Sequence, residues 1–373
     1  MAPPLDNLRV LDFSRILAGP FATMQLADLG ATVTKIERPG RGDDTRSWGP
    51  PHDERGQATY FQSVNRNKNS LVLNLTDEHD RARARQLATE ADVVVENFRP
   101  GLMAEFGLDY DQLRPGNPGL VYCSITGFGR GAGAAMPGYD LLIQALGGLM
   151  SITGDPGGEP QKVGVAVVDV LTGLFATTGI LGALYHRRAT GRGQRIDVDL
   201  FSCLLAGLVN QASAFTSAGV VAKRMGNRHP SIAPYELLPC ADGNLVLAVG
   251  NDRQFTALCK VLGAPELAAD DRFGTNPDRV ANRQALHAEL VRLLAARPAA
   301  EWTKELTEAR VPAGVVNDIA GAFALAQDLG LDPIVEVPRP DGTTVAVPRN
   351  PVNYSETPPA YYSAPPDLPE RER

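Results

Sequence analysis

The residue types able to do chemistry are scattered along this chain, and most of their spacings argue against a site. Four cysteines (Cys123, Cys203, Cys240, Cys259) stand far apart, with no Cys-x-x-Cys pair and no Cys/His cluster. They read as isolated thiols in a reducing compartment, and neither a metal site nor a disulfide framework is expected. The five histidines (His52, His79, His186, His229, His287) do not group either. Glu37 follows the first strand pattern by about two dozen residues, the spacing of an acid that binds a dinucleotide ribose. The turn that should carry the glycines reads Ser14-Arg15-Ile16-Leu17-Ala18-Gly19-Pro20, however, with a proline where amides should face a pyrophosphate. A nicotinamide site is therefore not expected. Asp169 precedes a helical pattern, and read alone it is an N-cap aspartate that accepts from the first amides of its helix.

The elements that must position these residues follow from periodicity. Residues 8–13 read as a strand, Pro20 to Leu29 as a helix capped by Gly30, and 31–37 as a second strand. Strand 71–75, a helix from Thr76 to Glu90, and strands 92–95 and 120–126 continue the alternation. That order argues for a parallel, helix-covered sheet. Gly164 to Ala189 is rich in small residues and predicts a helix packed closely on another backbone. Strand 196–200 and an apolar helix from Phe201 to Ala218 follow, then a polar Gly/Pro-containing linker. Hairpins are expected at 235–249, turning at Asp242-Gly243, and at 335–349, turning at Asp341-Gly342. Helical patterns dominate Arg253 to Arg310, and the Pro-rich tail beyond Pro351 reads as extended. The domain expectation is a large unit over 1–205, a linker over 206–228, a small α+β unit over 229–318, and a linker with a C-terminal return over 319–373.

At 373 residues the chain exceeds one typical core. Its net charge of −7 argues against nucleic acid as the main partner. The N-terminus lacks the layout of a signal peptide, and no uncharged apolar run reaches membrane-spanning length. The expectation is a cytoplasmic protein that binds neither nucleic acid nor membrane.

Six segments carry a resemblance: LDFSRILAGPFATMQLADLGATVTKIERPGRGDDTR (11–46), FQSVNRNKNSLVLNL (61–75), DVVVENFRPG (92–101), GYD (138–140), VGVAVVDVLTGLFA (163–176) and RRATGRGQRIDVDL (187–200). Together, in this order and spacing, they resemble the family III CoA-transferases of CaiB/BaiF type, which include formyl-CoA transferase and the carnitine CoA-transferase-like proteins. The resemblance runs from the N-terminus to about residue 318. It implies an α/β fold with a large Rossmann-like domain and a smaller α+β domain, assembled as an interlocked, ring-like homodimer. It places the family's nucleophile at Asp169. Coenzyme A or an acyl-CoA is then a substrate and no permanently bound cofactor is implied. The positions matching the family's CoA contacts are Leu17, Ala18, Arg38, Leu73, Asn97, Phe98 and Tyr139. An arginine of formyl-CoA transferase falls at Glu105, a departure that Arg99 would have to make good.

The α-methylacyl-CoA racemases are the neighbouring branch, and they need an acid and a base on opposite faces of the substrate carbon. They carry a histidine where this chain has Tyr139, and an unperturbed phenol is a poor base near neutral pH. Transfer of CoA from an acyl-CoA to a free carboxylic acid is the expected reaction. A racemase, or a CoA-binding protein without catalysis, are the alternatives. His229-Pro230, Pro234-Tyr235 and AVGNDRQF (248–255) look like the dicarboxylate branch, which uses succinyl-CoA, glutarate and similar acids. Arg15 and Arg46 are the candidates to hold a distal carboxylate.

Overall fold

The computed structural model describes residues 2–371. They form two compact units: residues up to Leu149, Lys162–Val220 and from Leu331 onward make the first, and Met150–Gln161 with Val221–Gly330 the second.

The first unit is built on a six-stranded sheet of β1 (Arg9–Asp12), β2 (Thr32–Glu37), β3 (Lys68–Val72), β4 (Val93–Glu96), β5 (Val121–Thr126) and β6 (Arg195–Asp199). All neighbours pair in parallel, in the order β3-β2-β1-β4-β5-β6. Parallel strands are covered on both faces, and β4 (VVVE) and β5 (VYCSIT) are buried at every position. The helices of this unit include α1 (Ala18–Asp28), α2 (Glu78–Glu90), α3 (Asp140–Leu146) and α4 (Val167–Thr190). One apolar core joins Val10, Val33, Val93 and Val121 of the sheet to Ala22 and Leu26 of α1 and Ala176 and Ile180 of α4. The opposite face of the sheet packs on α2 through Leu11, Val94, Tyr122, Ala84 and Ala88.

By length and composition α4 is apolar enough to cross a membrane, yet one side of it, including Val168, Thr172, Ala176, Ile180 and Ala183, is buried in this core. Gly173 permits the contact. A Cβ there would lie 2.8 Å from the Ala18 carbonyl oxygen, so the small-residue pattern marks a close helix–helix approach.

Two elements differ from their sequence expectation. The third strand forms at Lys68–Val72 rather than 71–75, because Lys68 is buried by ion pairing and no apolar run signals it. The helix expected over 201–218 breaks into Leu200–Gly207 and Val209–Ala218 at an 83° bend, with Val209 in the left-handed region (φ +43°). Much of the expected 206–228 linker is therefore helical and belongs to the first unit. The C-terminal return is held by side chains: Asn67 Oδ1 accepts the Tyr362 amide at 2.9 Å, beside the buried Arg66–Asp28 pair.

The second unit has an antiparallel sheet of Tyr235–Pro239, Asn244–Ala248 and Ala313–Val315. Helices Asp252–Val261, Arg283–Leu294 and Ala299–Glu308 close over it around Leu238, Leu247, Phe255, Leu290 and Trp302.

Candidate active site

Strand β1 pairs with β2 on one side and β4 on the other, so the chain leaves their carboxyl ends in opposite directions and opens a crevice. In open α/β sheets that switch point is where ligands bind. Here the loop after β1 and the loop after β4 are tied together by one side chain. Asn97 Oδ1 accepts the Arg15 amide at 2.8 Å, and Asn97 Nδ2 donates to the Arg15 carbonyl at 2.7 Å.

A cavity of about 740 Å³ opens at this point. Its wall includes Arg15, Leu17, Ala18, Asn97, Phe98 and Arg99 from the two loops, and Tyr139, Asp140 and Asp169 from the β5–β6 connection. A second cavity of about 350 Å³ is lined by Arg38, Leu73, Leu75, Phe98, Leu102 and Phe106. Arg15 and Phe98 belong to both walls, and the Arg15 guanidinium carbon stands 5.3 Å from the centre of the Phe98 ring.

Asp169 lies in the first turn of α4 and is not its cap, a correction to the sequence reading. The N-cap is Ala166, which has no side chain able to cap. The cap is supplied from outside the helix: Asp140 Oδ1 accepts the amides of Val168 (2.8 Å) and Asp169 (3.2 Å). Gln144 Nε2 donates to Asp140 Oδ2 at 2.5 Å, and Gln144 Oε1 accepts the Val163 amide at 2.9 Å, so the segment leading into α4 is held by the same helix α3. The loop before α3 is set by a glycine pair. A Cβ on Gly127 would come within 2.5 Å of Gly138 Cα, so the end of β5 and the start of the Gly138-Tyr139-Asp140 segment touch backbone to backbone.

The electrostatics follow from this geometry. Burial, and then the negative charge of Asp140, push the Asp169 carboxyl up to about 7. A helix N-terminus favours an ionised carboxylate, but here burial first and the neighbouring Asp140 charge second outweigh it. Among the described residues, no hydrogen bond or ion pair engages the Asp169 carboxylate oxygens. Tyr60 stands close by: burial and the charges of Asp169 and Asp140 push its phenol up, and its ring meets Trp48 edge-on at 5.2 Å.

Each arginine proposed from the sequence already has an anionic partner. Asp44 bridges Arg15 (3.1 Å) and Arg38. Arg99 pairs with Glu105 through both carboxylate oxygens (2.7 and 3.0 Å), so the residue at the departing position binds the one expected to replace it. Arg46 lines neither cavity. It grips Glu37 at 2.7 and 2.6 Å and lies 3.7 Å from the centre of the Phe61 ring, so its charge is already matched within the protein.

Of the sequence-predicted residues, Leu17, Ala18, Asn97, Arg99, Tyr139 and Asp169 come together on one cavity, Arg38 and Leu73 on the next, and Arg15 and Phe98 on both. Tyr139 is 60% exposed and open to the cavity. Two residues were not foreseen. Asp140 sat within a quoted motif, but nothing in one dimension says that it caps a helix starting so far downstream. Tyr60 carried no signal.

A doubly wound sheet with a carboxylate on the wall of a switch-point cavity defines an α/β protein whose candidate site carries an acid from the β5–β6 crossover. Residues 5–372 match the profile of CoA-transferase family III, and the chain belongs to that family. It is 44% identical to the succinate–glutarate CoA-transferase of Agrobacterium fabrum, over 99% of this chain and 94% of that one. It is also 44% identical to the acetyl-CoA:oxalate CoA-transferase of Acetobacter aceti, over 94% of this chain and 89% of that one. Among solved structures, a CAIB/BAIF family protein from Brucella suis superimposes with a TM-score of 0.87 at 45% identity, covering 99% of this chain and 97% of its own. The protein is a CoA-transferase, an enzyme that moves CoA between carboxylic acids.

Proposed function

We propose that this enzyme transfers CoA through covalent intermediates on Asp169. An Asp169 oxygen attacks the thioester carbonyl carbon of the donor, and the tetrahedral oxyanion collapses with loss of CoA thiolate, leaving a mixed anhydride. The thiolate attacks the aspartyl carbonyl carbon, expels the donor acid as its carboxylate and gives an aspartyl-CoA thioester. The acceptor carboxylate attacks that thioester, forms a second anhydride and releases the thiolate again. Attack of the thiolate on the acceptor carbonyl yields the new acyl-CoA and returns the Asp169 carboxylate. Each step exchanges one activated acyl group for another.

The observation that carries this reading is that Asp169 faces the switch-point cavity with no partner on its carboxylate while its helix amides are capped by Asp140. The smaller cavity, with Phe98 and Leu73 as apolar surface and Arg38 at its rim, suits the adenosine end of CoA. Arg15, between the cavities, suits an acid that carries a second carboxylate, and the relatives named for succinate, glutarate and oxalate favour a dicarboxylic acceptor. Its guanidinium would exchange Asp44 for the substrate carboxylate.

The test is adduct trapping. After incubation with acyl-CoA, hydroxylamine or borohydride should modify one aspartate, Asp169, as located by mass spectrometry. An unmodified chain that still binds CoA would sink the covalent reading. A panel of free acids tests the acceptor class, and activity with monocarboxylic acids alone would remove the dicarboxylate. Homodimer assembly and a cytoplasmic location belong to the same proposal. The exposed Leu174, Phe175, Tyr185, Val209 and Phe215 of the first unit favour a protein partner, and light scattering decides between dimer and monomer.

A further inference from the structure

Beneath the loop after β1 lies a group of charges that the transfer chemistry does not use. Lys35 on β2 and Asp43 pair at 2.8 Å with both side chains fully buried. Lys68 on β3 and Asp12 on β1 pair at 3.2 Å, also fully buried. Buried ion pairs are weak sources of stability, so what these charges hold in place is the better guide to their role.

The partners of these charges show what is held. Lys35 Nζ donates to the Ser14 carbonyl at 2.8 Å, and Asp43 accepts the Ile16 amide, 3.3 Å from each of its oxygens. A single ion pair thus grips the backbone on both sides of Arg15, whose own amide and carbonyl are held by Asn97. Asp43 is itself fixed by the Thr45 amide (2.9 Å) and hydroxyl (2.8 Å). Lys68 extends the grip by donating to the Pro20 carbonyl, in the first turn of α1, at 2.8 Å.

The residue under this grip is conformationally unusual. Ile16 has φ +69°, in the left-handed region that a β-branched side chain rarely enters. Such a residue persists where its surroundings over-determine it, and such residues cluster at functional sites. Directly after it, Leu17 and Ala18 form the cavity wall that also holds Asp169, and the Ala18 carbonyl abuts α4 at Gly173.

We propose that Asp43 is a positioning residue for CoA transfer: through the Ile16 amide it holds the left-handed turn that sets Leu17 and Ala18 against the cavity of Asp169. The inference rests on Asp169 as the centre of exchange, and adduct trapping on the unmodified enzyme tests that reading separately. Asp43 touches no reacting atom; it acts through the backbone of Ile16.

A double-mutant cycle tests it. Glycine enters the left-handed region without strain, so Ile16→Gly removes the need for a hold. In the Ile16 enzyme, Asp43→Ala should lower kcat by at least ~10-fold; in the Ile16→Gly background the same change should cost less than ~3-fold. Circular dichroism and thermal melting on all four proteins separate activity from folding. Equal losses of kcat in the two backgrounds would overturn the proposal, since a general structural role has no reason to depend on residue 16. If Asp43→Ala does not fold, Asp43→Asn keeps an oxygen for Lys35 and enters the same cycle. A larger loss with isoleucine than with glycine supports the proposal, and equal losses again overturn it.

Discussion

Asp140 and Asp169 share one helix end: Asp140 Oδ1 accepts the Asp169 amide at 3.2 Å and the Val168 amide at 2.8 Å, so one carboxylate caps the helix whose first turn carries the other. The cap brings order and charge together. It orients Asp169 and, after burial, is the second cause of its raised pKa.

The rate of the reaction with donor should depend on pH through Asp169. On the proposed mechanism Asp169 attacks as a carboxylate, and with its pKa pushed up to about 7 a large share of it carries a proton near neutrality. The kcat/KM for the acyl-CoA donor should rise with pH through an apparent pKa near 7 and level off above it. Asp140→Asn keeps an acceptor for the helix amides but removes the charge, and should move this limb to lower pH by about one unit. A limb that stays in place would show that Asp140 does not tune Asp169.

Stability should answer to the same group with a defined sign. A carboxyl whose folded pKa is raised holds its proton more tightly in the folded chain than in the unfolded one. Its contribution is complete below the ordinary value of 3.8 and is lost as pH rises through about 7. Asp169→Asn should therefore be more stable than the parent above pH ~7, by about 1–4 kcal/mol, with the low end favoured where solvent reaches the cavity. Near pH ~4 the two should converge. Urea unfolding at both pH values measures the difference, and a variant less stable at the higher pH contradicts the assignment.

Gly173→Ala should separate two backbones. Its Cβ would lie 2.8 Å from the Ala18 oxygen and 2.9 Å from the Phe21 ring. Forcing α1 off α4 should cost about 1–3 kcal/mol of stability. It should also lower kcat by ~10-fold or more, because Leu17 and Ala18 move away from Asp169. Full activity would mean that the loop tolerates a wider site than the packing suggests.

Phe98 stands at the junction of the cavities with Arg15 over its ring. Phe98→Ala should raise KM for acyl-CoA by about 10-fold and change kcat less, as expected for lost apolar surface and a lost cation–π contact. Steady-state kinetics reads the split. A fall in kcat with KM unchanged would place Phe98 in the chemistry instead of the ligand bed.

Much of the fold was readable because parallel βα units announce themselves by apolar runs such as Val93–Val95 and by turn residues between them. The β3 strand was displaced in the reading because its first residue, Lys68, is hidden by a charge on another strand, and residue type alone points such a lysine to solvent. Only motif resemblance singles out residue 169, since one aspartate before a helix looks like any cap. Its true cap, Asp140, and its neighbour, Tyr60, depend on contacts across the chain that carry no local pattern. Arg46 illustrates the opposite error: a basic residue in a motif suggested ligand contact, and only the bidentate grip of Glu37 shows where its charge is spent.

The β5–β6 crossover brings both carboxylates and a large part of the cavity wall, while the turns after β1 and β4 bring the two arginines, Arg15 and Arg99, and Phe98. On the proposed mechanism, Arg38 and Phe98, offered to the nucleotide, therefore lie on different stretches of the polypeptide from the paired aspartates. An exchange confined to the Arg15 side chain should therefore change which acids are accepted while the Asp140–Asp169 arrangement, anchored on the later stretch, stays as it is.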